Sequence, residues 1–117
     1  MKELNNMKKQ QLSIIEILVW YDTPQLFTTT DTDGNDYICL VYDITNDGDI
    51  LATGSQVSAE EKQSFLDGES ELGNLIKTAE ADNRVFDLVI CDSITAERRT
   101  EPVEERMLPN GEYYYKH

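Results

Sequence analysis

Apolar residues along this chain fall in short runs separated by Asp, Asn, Gly and Pro, and the spacing within the runs changes part-way through. Ser13 to Tyr21 is rich in Ile, Leu, Val, Trp and Tyr and is stopped by Asp22-Thr-Pro24. This predicts a strand, central in its sheet, with Trp20 in the core. Leu26 to Thr30 and Tyr37 to Asp43 flank Asp31-Thr-Asp-Gly-Asn-Asp36, and Asp-Gly between two β-prone runs is a strong hairpin signal. Asn46-Asp-Gly-Asp49 repeats that punctuation before Ile50 to Val57, which adds a third strand to an antiparallel meander. Gly54 inside the last run is read as a bulge.

The period then becomes helical. Ser58-Ala-Glu-Glu61 has the form of a capping box, with Phe65 and Leu66 on an apolar face and Asp67-Gly68 as a stop. Leu72, Leu75 and Ile76 at i, i+3, i+4 spacing predict a second short helix over Glu69 to Ala79. Arg84 to Cys91 reads as a further strand, too continuously apolar for an exposed edge. Asp92 to Arg106 is charged, carries Pro102 and reads as a loop. Asn110-Gly111 leads into Tyr113-Tyr-Tyr115, a last strand, on which neighbouring tyrosines face opposite ways and at least one is displayed. The expected fold is α+β: an antiparallel sheet of about five or six strands in a meander, with two short helices packed on one face. Residues 1–12 are a flexible or short helical lead-in, and residues 13–117 form a single domain, as suits a chain of 117 residues.

Charge adds a second layer. The net charge is −13, and it is unevenly placed: residues 1–9 carry +2, residues 10–61 carry −10 without one Lys or Arg, and the rest carries −5. Such a field repels nucleic acid and anionic lipid and steers basic surfaces inward, so the expected partner is a basic protein, with no direct nucleic-acid binding. Asp31, Asp33, Asp36, Asp47 and Asp49, on two turns taken to lie at the same end of the meander, are the candidate contact surface, together with Tyr113 and Tyr115. If the partner binds nucleic acid, these carboxylates would stand where phosphates do. No apolar run reaches membrane-spanning length and no leader pattern is present, so a cytoplasmic location is expected.

Catalytic chemistry finds little footing. Asp31, Asp33 and Asn35 imitate the first oxygen ligands of a calcium loop, but the sixth position is Asp36 instead of Gly and the twelfth is Tyr42 instead of Glu. His117 is the one histidine and stands last, and Cys39 and Cys91, read as core thiols, have no metal-binding spacing. No phosphate loop or nucleophile elbow is present. A non-enzyme without metal or cofactor is the expectation.

Tyr21-Asp-Thr-Pro24-Gln-Leu-Phe27, Asp31-Thr-Asp-Gly34-Asn-Asp-Tyr37 and Val57-Ser-Ala-Glu-Glu61 through Phe65-Leu-Asp-Gly68 together resemble a group of short bacterial domains of unknown function. The likeness spans roughly residues 14–78 and implies a shared α+β fold with no inherited active site. By analogy of size and charge, the function expected is that of a stoichiometric inhibitor or antagonist, of the antitoxin, anti-defence or immunity kind. The alternative is a homo-oligomer, a module that self-associates through its tyrosine-rich strand and apolar sheet edge.

Overall fold

The structure, a computed structural model, describes residues 9–21 and 23–115 and is built on six antiparallel strands. In chain order these are β1 (Lys9–Tyr21), β2 (Thr23–Thr30), β3 (Asp36–Ile44) and β4 (Ile50–Val57). Helices α1 (Ala59–Leu66) and α2 (Leu72–Ala81) follow, then β5 (Val85–Ile90), β6 (Ile94–Arg98) and a 3-10 turn at Glu105–Met107. Each strand pairs with the next and β6 pairs back onto β1, so the expected open meander is instead a closed barrel. Closure depends on the length of β1. Its first residues, Lys9 to Leu12, pair with β6, while Ser13 to Tyr21 pair with β2, so one strand serves two neighbours at different heights.

Strand alternation sorts the side chains into two cores. Phe27, Tyr37, Cys39, Phe86, Leu88 and Ala96 belong to the cluster inside the barrel. The opposite parity, Leu26, Ile38 and Val57, faces outward and is covered by Phe65 of α1 and by Leu72, Leu75 and Ile76 of α2. Both helices therefore sit on one outer face, held there by the apolar spacing the sequence displays. Ser58 caps α1 as expected: its hydroxyl accepts from the Glu61 amide at 3.1 Å, and the Glu61 carboxylate accepts from the Ser58 amide at 2.9 Å. Helix α2 begins later than its spacing suggests, because the Glu71 carboxylate accepts from the Gly73 and Asn74 amides and so acts as the cap.

Several expectations are corrected. The lead-in assigned to residues 1–12 is already strand from Lys9, and its earlier residues lie outside those described. The loop assigned to Asp92 to Arg106 contains β6: Ile94 and Ala96 alternate into the barrel while Thr95 and Glu97 point away, a period masked by the surrounding charge. Tyr113 to Tyr115 form no strand; they lie in the irregular C-terminal segment that packs on α1. Gly54 is no bulge, since it pairs regularly with Cys39 and Phe86; it makes room, because a Cβ there would stand 2.5 Å from Leu88 Cδ1. Cys39 is buried as expected, and the barrel interior pushes its thiol pKa up to about 12, but Cys91 sits exposed in the β5–β6 turn. No described helix is long and apolar enough to cross a membrane.

Candidate functional site

The acidic turns are the first candidate, and the topology separates them. The Asp31–Asn35 turn leads into the start of β3 and the Thr45–Asp49 turn follows its end, so they lie at opposite ends of the barrel. A strand of 9 residues puts them roughly 30 Å apart. The supposed single acidic end is thereby corrected: consecutive hairpins of a meander must turn at alternate ends.

Within the first turn, Asp31 is only 6% exposed and is fully engaged. One carboxylate oxygen accepts from the Asp33 and Asn35 amides, each at 2.9 Å, and the other accepts from the Tyr37 hydroxyl at 2.7 Å and from the Asn35 side-chain amide at 3.1 Å. Burial works to raise its pKa, but the hydrogen bonds from Tyr37, Asn35 and Asp33 outweigh this and hold it below the usual carboxylate range. Asp31 is therefore the organiser of the turn and is withdrawn from any contact surface. Asp33 is exposed, and Asp36 is half-buried with Lys62 3.7 Å away. At the other end Asp47 is exposed and Asp49 half-buried. Arg106 reaches Asp43 at 3.5 Å, while Arg99 turns to Asp87 and Glu104.

The tyrosines divide differently from expectation. Tyr113 and Tyr115 are half-buried, with ring centroids 6.5 and 6.0 Å from Phe65, so both serve to close the helix-covered core. Tyr114 is the one displayed. A cleft beside this segment is lined by Glu71, Asn74, Lys77, Arg106 and Asn110. Burial pushes the Glu71 carboxyl up, and the Gly73, Tyr113 and Asn74 amides, with help from Lys77, bring it below its ordinary value. Glu71 thus pins the C-terminal segment to the start of α2. Among the described residues no group of three or more His, Cys, Asp or Glu side chains is placed to hold a metal ion.

The feature that sequence reading placed wrongly is β1. Trp20, expected in the core, is 62% exposed, and Ile15 is 56% exposed. Ile14 and Ile17 also face solvent, although Leu18 and Val19 tuck against the outer core. The cause is the stagger at closure. β6 pairs with β1 only as far as Leu12, so beyond that point one edge of β1 has no ladder partner among the described residues. Ile17 pairs with Phe27 on β2, yet Phe27 is 0% exposed and Ile17 39%. Among the described residues, the wall that shields Phe27 does not extend to the far side of Ile17. Three register shifts between β1 and β2 add local bends to the ribbon.

The edge also has an acidic surround. Cross-strand pairs Ile44–Ile50, Ile50–Ile90, Ile90–Ile94 and Ile94–Leu12 form one continuous row around the barrel. The Thr45–Asp49 turn, the Cys91–Ser93 turn and the departing part of β1 all lie just beyond that row, on one rim. Asp47, Asp49 and Asp92 belong to this rim, and Glu16 projects from β1 itself; all four lack an ion-pair partner among the described residues. A run of apolar residues this long suggests burial to any sequence reading; the signal that β1 outlasts its neighbour is the short alternation at Ile94 and Ala96. No protein-family model, curated protein or solved structure matches this chain.

Proposed function

We propose that this chain is a non-enzymatic binding protein for a basic protein partner, which it holds at the outer edge of β1. The observation that carries the reading is the exposure of Ile14, Ile15, Ile17 and Trp20 on a strand edge that has no ladder partner among the described residues, beside the carboxylates of Glu16, Asp47, Asp49 and Asp92. Apolar anchors, an aromatic among them, ringed by charge of one sign are what a protein interface uses for affinity and for steering respectively. The acids expected to make contact then divide: exposed Asp33 lies at one end and exposed Asp47 with half-buried Asp49 at the other, and only the second group shares a rim with β1.

Such a chain acts by occupancy. Held one-to-one, it antagonises whatever the partner's basic surface does. Self-association through the same edge is disfavoured because it would bring together two chains of charge −13, and Tyr113 and Tyr115 are spent on Phe65. The test is affinity capture from the chain's own cells, comparing wild type with an Ile15→Ser, Trp20→Ser double variant of unchanged thermal stability. A basic protein retained by the wild type and lost from the variant is expected. Identical captured sets, or none from either, would overturn the reading.

A further inference from the structure

The geometry points to strand addition as the recognition mode: the β1 edge from Ser13 to Trp20 accepts an extended, lysine- or arginine-bearing segment of the partner as an additional strand in line with β6. This deepens the binding reading above and rests on it. Three observations converge. First, β1 is 13 residues long and β6 only 5, and their ladder covers Lys9 to Leu12, so the backbone of the following residues has no ladder partner on that side among the described residues. An unpaired edge of this length is a template for another strand unless it is blunted by Lys, Pro or bulges. From Ser13 to Trp20 there is no Pro and no cation; two of the three register shifts place an extra residue, Ile15 and Leu18, in β1 itself, so an added strand follows a bent edge.

Second, the inner layer of the barrel is unfinished at this place. Ile14 and Ile17 pair with Thr29 and Phe27, both wholly buried, yet remain exposed themselves because no strand among the described residues covers them. A strand continuing β6 upstream of Ile94 would complete that wall and take Ile14 and Ile17 out of water. Alternation then dictates its pattern: apolar side chains toward Ile14 and Ile17, polar ones on the opposite face.

Third, charge selects the occupant. A strand in that position runs past the Cys91–Ser93 turn with Asp92 and across the rim that holds Asp47 and Asp49, and alongside Glu16. No Lys or Arg occurs in residues 10–61 or 85–97, so these carboxylates favour a cationic segment. A second copy of this chain would present its own Glu16 and the same acidic rim.

The test uses the full chain and a blocked synthetic peptide of about nine residues alternating valine and lysine, with two controls: glutamate in place of lysine, and N-methylation of the central residues so that neither peptide edge can donate. Binding of the first peptide should slow hydrogen exchange of the amides in residues 13–20, and both controls should bind at least about tenfold more weakly. Equal binding by the N-methylated peptide would overturn strand addition, and equal binding by the glutamate peptide would overturn the cationic occupant. Absence of binding by all three would overturn the proposal too. Protection of the same amides that grows with protein concentration alone, with a doubled mass by light scattering, would make the occupant a second copy instead. Each of these results is separate from the capture comparison: a partner lost on Trp20→Ser with no effect of N-methylation retains the binding function and removes only its mode.

Discussion

At the scale of single residues, the sequence advertised Asp31 as one of five equivalent acids, and the fold gives it a role the others do not share. Its neighbours in sequence supply amides, but the bond that buries it comes from Tyr37, 2.7 Å away and wholly inside the barrel. Tyr37 stacks edge-on against Phe86 at 5.3 Å, so the hydroxyl is aimed by packing. Burial, reinforced by the bond to Asp31, pushes the Tyr37 phenol well above its usual range. The Asp31 pKa is lowered on folding, so its contribution to stability is full above the ordinary carboxylate value of about 4 and is lost as pH falls through the lower folded value. Tyr37→Phe is expected to cost about 1.5–3 kcal/mol at neutral pH, as loss of a hydrogen bond to a charged group. Urea unfolding at neutral pH and near pH 3 checks this: the gap between wild type and variant should narrow in acid. A gap that persists unchanged would show that the phenol matters for packing alone.

At the scale of elements, the helices were legible and two of the strand regions were not. Ser58 and Glu61 specify α1 by local chemistry, and Leu72, Leu75 and Ile76 specify the buried face of α2, so both could be read without knowing their neighbours. β6 escaped because only Ile94 and Ala96 face inward and the flanking charges suggest a loop. The tyrosine segment misled in the other direction: β propensity favours a strand, but rings stacked over Phe65 and the Tyr113 amide bound to Glu71 hold it irregular. Gly54 looks like a strand defect and is a packing requirement. Gly54→Ala should destabilise the barrel by about 1–3 kcal/mol through displacement of Leu88, measured by thermal or urea unfolding. Leu88→Val in the same background should recover part of the loss; no recovery would mean the strain lies elsewhere.

At the scale of the whole molecule, the distribution of charge is what folding rearranges most. Asp36, Asp43 and Glu61 find cations at Lys62, Arg106 and Arg84, all from the second half of the chain. Of the acids on the two hairpin turns, Asp33 lies at one end of the barrel and Asp47 and Asp49 at the other. A net charge of −13 on a body with a 13.5 Å radius of gyration repels itself, and added salt screens that repulsion. The thermal midpoint should therefore rise between about 10 mM and about 200 mM NaCl, within the range where the Debye length drops below the barrel's dimensions. A midpoint that stays level or falls would mean that the ion pairs outweigh the repulsion.

The sequence by itself determined what depends on near neighbours: the alternating runs that became β2, β3, β4 and β5, the glycine turns at Gly34 and Gly48, the capping box of α1 and the excess of negative charge. Tertiary structure alone decided that the sheet closes and that Trp20 stands in water. These depend on the stagger between β1 and β6, a relation between residues more than eighty positions apart in sequence. Local periodicity records which side of a strand is apolar; it carries no record of where the neighbouring strand ends, and that ending is what leaves the β1 edge open.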